Sequence, residues 1–115
     1  MYRHSYAEIL DEAPSEARMR ERMAFDHAIE LLQAAEAKGA GSREAVEAIF
    51  FLTRLWNLLL EDLASDENGL PRELRASLIS IGLWVLREAQ RLRQEMKGSF
   101  GALIEVNTAI RNGLA

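Results

Sequence analysis

The chain has 115 residues and a formal net charge of −4, and 49% of its residues are hydrophobic. This length predicts one domain, residues 1–115, and the hydrophobic share is typical of a globular protein rather than a disordered one. The sequence contains no cysteine, which excludes disulfide bonds and thiolate metal sites. The net negative charge gives no general attraction to nucleic acid or to an anionic membrane surface.

No targeting or membrane segment is predicted. The N-terminal residues, Met1 to Asp11, carry several charges and lack the apolar core of a signal peptide. The most apolar window, residues 45–60, is interrupted by Glu47 and Arg54, which argues against a membrane span. We therefore expect a cytoplasmic protein that makes no membrane contact.

Proline, glycine and a capping residue divide the first half of the chain. A helical pattern begins at Pro14 and stops at Gly39 and Gly41. Ser42 then offers an N-cap side chain to the free amides at the start of a second helix. That second helix is predicted to end near Ala64.

Turn residues and a second set of caps divide the other half. Residues 65–69 (Ser-Asp-Glu-Asn-Gly) form a turn, and Pro71 is predicted as the first residue of the third helix. The third helix is expected to end near Lys97. Ser99 offers a cap to a shorter fourth helix, which Gly113 is expected to end in the left-handed conformation.

These signals predict an all-α fold, a small bundle of about four helices with an N-terminal arm. The arm covers residues 1–13 and is expected to dock on the bundle through its apolar and aromatic side chains, Tyr2, Tyr6, Ile9 and Leu10. The predicted helix bounds are 14–38, 42–64, 71–97 and 99–112.

Helical wheels give each of the three long helices one apolar stripe, and we expect these stripes to form the core. The stripe of the second helix covers half of its circumference, so this should be the central helix. Gly82 costs about 1 kcal/mol of helix propensity, which predicts that another backbone passes close to it. The stripes consist of Ala24, Phe25, Ala28, Leu31, Leu32 and Ala35; of Val46, Ile49, Leu52, Leu55, Trp56, Leu59, Leu60 and Leu63; and of Leu74, Leu78, Ile81, Gly82, Val85, Ala89, Leu92 and Met96.

Trp84 is the first of the candidate partner-binding residues, because it lies off the stripe of its helix. It is on the polar side, near Arg87 and Arg91, and a tryptophan ringed by charges is typical of a binding hot spot. The alternative is that the arm or the fourth helix covers it.

Two further pairs of residues lie off the stripes. Phe51 and Leu58, seven residues apart on the second helix, form either a helix contact, which is the favoured interpretation, or an exposed groove for an amphipathic partner helix. Met19 and Met23 lie opposite the main stripe of the first helix. They indicate either an adaptable binding surface or incidental exposure.

Asn107 lies within the apolar face of the fourth helix, which consists of Phe100, Leu103, Ile104, Ile110 and Leu114. A buried amide without partners costs about 1–3 kcal/mol. The structural interpretation, a hydrogen bond to a neighbouring helix or to the arm, is favoured over a role in recognising a partner.

No catalytic residues, no cofactor site and no metal site are predicted, and we do not expect an enzyme. The HExxH motif and the Glu-x-x-His pairing of di-iron bundles are both absent. The acidic residues between Glu61 and Glu67 lack EF-hand spacing. Two histidines and no cysteine leave few candidates for a nucleophile and its base.

Four segments, which together span essentially the whole chain in order, resemble the flagellar biosynthesis regulator family FlaF of alphaproteobacteria. They are the opening MYRHSYAEILDEAPSEARMRER, the linker GSREAVEAIFF, the central RLWNLLLEDLASDENGLPRELRASLISIGLWVLREAQ and the closing LIEVNTAIRNGL. Trp56, Pro71, Trp84 and Asn107 lie in the most characteristic of these segments.

The resemblance implies a protein linked to flagellin synthesis and export that acts with a second regulator, FlbT. It also implies binding to flagellin, which would make the protein a chaperone-like factor, and flagellin chaperones of other families present apolar grooves to amphipathic helices. Two alternatives stay open. One is direct binding of flagellin mRNA, for which Trp84 beside Arg87 and Arg91 is the single stacking feature, although the basic segments carry too little net charge to favour it. The other is self-association as a homo-oligomer.

Overall fold

The computed structural model describes residues 14–114. This part of the chain forms a bundle of four helices, which confirms the predicted all-α fold class. The predicted docking of the N-terminal arm lies outside the described residues. The helices are α1 (Pro14–Lys38), α2 (Arg43–Ala64), α3 (Arg72–Glu95) and α4 (Gly101–Asn112).

The second helix, α2, is central, as predicted. It packs against α1 on one side and α3 on the other, so these three helices form a layer. The shorter α4 packs mainly against α1 and only lightly against α3. One face of the three-helix layer is thereby covered by α4, and no described helix covers the other face.

The turn between α1 and α2 forms as the sequence predicts. Gly39 has a φ of +100°, a conformation that glycine adopts without strain. Ser42 is the N-cap of α2, and its Oγ accepts a hydrogen bond of 3.1 Å from the amide of Ala45. This side chain satisfies one of the free amides of the first turn of α2.

The ends of α3 differ slightly from the prediction. Pro71 occupies the N-cap position rather than the first helical position, and its carbonyl accepts from the amide of Arg75 at 2.9 Å. The helix ends at Glu95 because Met96 adopts a left-handed conformation with a φ of 54°. Met96 is therefore 66% exposed, and its predicted place in the core is wrong.

The start of α4 is capped from another helix. Glu36 of α1 accepts hydrogen bonds from the amide of Phe100 at 2.7 Å and from the hydroxyl of Ser99 at 3.0 Å. The Ser99 hydroxyl in turn accepts from the amide of Gly101 at 2.9 Å. Ser99 thus contributes as predicted, but it lies before the N-cap position, and a carboxylate distant in sequence completes the cap.

The predicted left-handed conformation at Gly113 is wrong. Its φ of −79° is right-handed, and its amide still donates to the carbonyl of Ala109. The carbonyl of the next residue, Leu114, accepts a hydrogen bond of 3.2 Å from Arg22 of α1.

Most of the predicted stripe residues pack in or against one core, and two more predictions fail for geometric reasons. Val46 is 63% exposed because it lies at the edge of the α2 stripe, towards the uncovered face of the layer. Leu74 is 45% exposed because it belongs to the first turn of α3, at the end of the bundle. The buried core consists of Phe25, Ala28, Leu32, Ala35, Ala45, Ala48, Ile49, Leu52, Leu55, Trp56, Leu59, Leu63, Val85, Ala89, Leu92, Phe100 and Leu103.

The tryptophan of α2, Trp56, joins the central helix to α4. It is 1% exposed, and its indole N–H donates a hydrogen bond of 2.8 Å to Oδ1 of Asn107. The amide nitrogen of Asn107 donates to the carbonyl of Leu103 at 2.7 Å. The buried amide is therefore satisfied, which confirms the predicted hydrogen bond to a neighbouring helix.

Gly82 lies where α3 packs tightly against side chains of α2. A Cβ at this position would lie 2.8 Å from Cε3 of Trp56 and 2.8 Å from Cδ2 of Leu60. The predicted close approach is therefore present, but side chains rather than a second backbone fill the space.

We expect Gly82→Ala to lower the free energy of unfolding by up to about 2 kcal/mol. Overpacking of this kind costs about 1–3 kcal/mol, which outweighs the roughly 1 kcal/mol gained in helix propensity. Urea denaturation would measure the change. Gly69→Ala is the matched control, because a Cβ there meets nothing within 4 Å. A Gly82→Ala variant more stable than the wild type would contradict this packing.

We expect Asn107→Leu to cost about 1–3 kcal/mol, because it leaves the indole N–H of Trp56 buried and unpaired. Adding Trp56→Phe removes the unpaired donor as well. The double variant should therefore lose less stability than the sum of the two single variants. Chemical denaturation of the wild type, the two single variants and the double variant gives a double-mutant cycle. Strictly additive losses of stability would show that the hydrogen bond is energetically unimportant.

Candidate partner-binding groove

An apolar groove of about 420 Å³ runs between α3 and α4. We call it the Trp84 groove. Five of its six lining side chains are apolar, so its chemistry suits a partner's apolar side chains rather than a charged ligand. It is lined by Ser80, Ile81 and Trp84 of α3 and by Val106, Ala109 and Ile110 of α4.

The groove exists because α4 is anchored to α1. Arg111 of α4 donates to Asp26 of α1 at 2.7 Å, and this hydrogen bond raises the pKa of Arg111 above its usual value. The capping of Phe100 by Glu36 fixes the other end of α4 to the same helix. These contacts hold α4 close to α1, so that it touches α3 only lightly and leaves an open channel.

Trp84 forms part of the α3 wall of this groove. Its side chain is partly buried and packs against the edge of the core. Val106 and Ile110 of α4 line the opposite wall. α4 therefore flanks the indole, whereas cover by the N-terminal arm lies outside the described residues, and a role of Trp84 in partner binding stays a prediction.

The best-paired charge beside the groove is Arg91. Arg91 donates to Glu88 at 2.6 Å and to Glu95 at 3.0 Å. The hydrogen bond with Arg91 lowers the pKa of Glu88 and raises that of Arg91. Arg87 is exposed on the same helix. With two carboxylates beside Arg91, this surface of α3 is not a basic platform.

Phe51 and Leu58 lie elsewhere, on the α2 surface near α1. The Phe51 ring packs edge-on against the His27 ring, with 4.7 Å between their centres. Phe51 is partly buried, whereas Leu58 is 42% exposed. Met19 and Met23, on α1, are 52% and 61% exposed. None of these four residues lines the Trp84 groove, so the predicted binding residues do not form one surface.

Nearly the whole chain matches one protein family. The sequence profile of the family described as flagellar protein FlaF matches residues 2–114. The chain belongs to the FlaF family. No curated protein and no solved structure matches it. The FlaF resemblance seen in the sequence is therefore confirmed, and the chain is a flagellum-related protein.

Membership of the FlaF family also bears on the class of protein. FlaF is a family of flagellar regulatory proteins and is not known as an enzyme family. Within residues 14–114, no group of three or more histidine and acidic side chains is arranged to hold a metal ion. None of the described helices has the length and apolarity needed to cross a membrane.

Sequence reasoning missed the α4 wall of the groove in this FlaF-family protein. Val106, Ala109 and Ile110 have the i, i+3, i+4 spacing of a helix face. Of the three, only Ile110 belongs to the face assigned to the core. This second apolar face of α4, beside the face assigned to the core, is the sequence signal that could have predicted the groove. Val46, Phe50 and Leu83 are also exposed by 46–64%, although none of them was singled out as a surface residue.

The two tryptophans are expected to respond differently to truncation. Trp56→Ala should cost about 3–5 kcal/mol, as the loss of a large buried side chain does. Trp84→Ala should cost only about 1–2 kcal/mol, because the indole lies at the edge of the core. Thermal and urea denaturation, with helicity followed by circular dichroism, would measure both. Equal losses would mean that Trp84 belongs to the core and not to a groove wall.

Proposed function

We propose that this FlaF-family protein binds flagellin in the Trp84 groove and acts in the cytoplasm as a chaperone-like regulator. In this role it promotes flagellin synthesis and secretion together with an FlbT-type regulator. Family membership supports the flagellar context. The observation that carries the proposal is the apolar groove between α3 and α4.

The shape and lining of the groove favour a helical partner. An amphipathic helix recognised in a groove presents apolar side chains at i, i+3 or i+4, and i+7. A channel of about 420 Å³ between two helices has room for several such side chains. Trp84 in its wall supplies the large aromatic surface that dominates many interfaces. Flagellin helices that are not yet assembled would present apolar faces of this kind.

The electrostatics of the same surface favour a protein partner over RNA. Binding of nucleic acid depends on free cationic side chains that displace counterions from phosphates. Arg91 is already paired with Glu88 and Glu95. Stacking of a base on Trp84 would thus bring phosphates close to two carboxylates. Direct binding of flagellin mRNA is the alternative that the test below must separate.

Isothermal titration of the full chain with its own unpolymerised flagellin tests the proposal. We expect micromolar or tighter binding. Ala109→Glu, which places a carboxylate in the groove, should weaken that binding at least roughly tenfold. Ala76→Glu is the matched control, because both alanines are exposed helical residues and Ala76 does not line the groove. Equal affinities for the two variants would show that flagellin does not use the Trp84 groove.

Parallel titrations identify the alternatives. Leader RNA of the flagellin message should give no signal, and a salt-sensitive RNA affinity without flagellin binding would establish the RNA-binding alternative. Adding an FlbT-type protein to the flagellin titration tests whether this protein, flagellin and the FlbT-type regulator form one complex. Binding to the FlbT-type protein without binding to flagellin would show that this protein acts through FlbT and not by contacting flagellin.

A further inference from the structure

A second surface lies on α2, on the uncovered face of the helix layer. We call it the outer strip and define it by five exposed residues of α2: Arg43, Glu47, Phe50, Arg54 and Glu61. Phe50 is 64% exposed, and the guanidinium carbon of Arg54 lies 5.8 Å from the centre of its ring. Among the phenylalanine and tryptophan side chains of residues 16–114, Phe25, Trp56 and Phe100 are buried and Phe51 and Trp84 are partly buried, so Phe50 is the most exposed.

The outer strip and α4 lie on opposite sides of α2. Trp56 points towards α4, since it donates its hydrogen bond to Asn107. At about 100° per residue, the residues of the strip lie roughly 120–180° around the helix from Trp56. The neighbours of α2, which are α1 and α3, pack on the two flanks between these directions. No described helix therefore covers the outer strip.

The charged residues at the two ends of the strip do not stabilise α2 through its dipole. Arg43 is in the first turn and Glu61 is in the last turn. Both charges oppose the helix dipole, which favours acids at the start of a helix and bases at the end. Within residues 14–114, neither Arg43, Glu47, Arg54 nor Glu61 forms an ion pair. Their order along the helix needs another explanation.

The order of these charges is complementary to that of a second α2 helix running in the opposite direction. Read along α2, the four charges are positive, negative, positive and negative. A second α2 running antiparallel places Arg43 opposite Glu61 and Glu47 opposite Arg54, and the same pairs recur by symmetry. A parallel copy would place like charges opposite one another. We propose that two copies of this chain associate through their outer strips, with the α2 helices antiparallel about a two-fold axis.

The register of the two pairings agrees with the position of Phe50. The pair Arg43–Glu61 centres the contact at residue 52 and the pair Glu47–Arg54 at 50.5. The two registers differ by three facing residues, or about 4.5 Å along the helix, a distance that the long Arg and Glu side chains span. The axis thus passes beside Phe50, so that the phenylalanines of the two copies meet near it. In such an isologous contact each copy contributes the same patch.

Apolar burial provides the affinity of this contact, and the charges provide its direction. Exposed ion pairs contribute little individually, but repulsion between like charges disfavours the wrong orientation. Two exposed apolar residues of α2 flank Phe50, namely Val46 at 63% and Leu58 at 42% exposure. The Trp84 groove stays open in the dimer, because it lies between α3 and α4, on the side of the helix layer opposite to the outer strip.

Sedimentation equilibrium of the full chain over a range of concentrations tests the proposal. The mass should rise from 13.0 kDa towards twice that value. Phe50→Asp should raise the Kd of the dimer at least roughly tenfold. Leu74→Asp is the control, since Leu74 is also exposed, by 45%, but belongs to α3. A wild-type chain that stays monomeric at hundreds of micromolar, or equal effects of the two variants, would overturn the proposal.

A charge exchange tests the antiparallel geometry itself. Glu61→Arg places two like charges opposite each other at both ends of the contact, so it should raise the Kd at least roughly threefold at low salt. The double variant Arg43→Glu with Glu61→Arg restores opposite charges across the axis and should return the Kd to near the wild-type value. Circular dichroism confirms that each variant folds. A double variant as weak as the single one would rule out this arrangement, whatever happens to flagellin binding.

Discussion

The indole of Trp56 is the point at which all four helices meet. From α2 it contacts the ring of Phe25 in α1, with 5.9 Å between centres in an edge-to-face arrangement. It also fills the space above Gly82 in α3 and donates its hydrogen bond to Asn107 in α4. This one side chain thus sets the distance between α2 and α3, which is short enough that a Cβ at position 82 would collide with it. It also sets the position of α4 relative to α2. The rest of the packing depends on these three contacts.

Polar contacts with α1 then decide where α4 lies along the layer. Leu103 and Phe100 would satisfy the hydrophobic effect in several positions over the layer, since apolar burial is not directional. The hydrogen bonds to Asp26, Glu36 and the carbonyl of Leu114 are directional, and all of them involve α1. They draw α4 to one side, so the groove beside α3 is a consequence of how α4 is held.

The contrast between local and distant interactions explains what the sequence could predict. The stop at Gly39 and the cap at Ser42 depend on neighbouring residues, so their patterns predicted them correctly. The buried pairing of Asn107 was predictable in kind, since an amide within an apolar face must find a partner. That its partner is Trp56, 51 residues away, was not, because no periodicity encodes such a contact.

The same limit explains the errors at Val46 and at the groove. A wheel shows that a residue belongs to an apolar arc, but not how far the neighbouring helices extend around that arc. Val46 lies where no described helix follows. The groove depends on the ion pair between Asp26 and Arg111, which are 85 residues apart. Single-sequence patterns contain no information on a pairing of this length.

The length and the position of the last helix together account for the two exposed surfaces. A helix of 12 residues spans about 18 Å, whereas the 22 residues of α2 span about 33 Å. One short helix covers only part of one face of a three-helix layer, so apolar side chains remain exposed beside it and on the opposite face. Such surfaces are aggregation hazards unless a partner occupies them. The core around Trp56 separates the Trp84 groove from the outer strip, because α4 and the outer strip lie on opposite sides of α2.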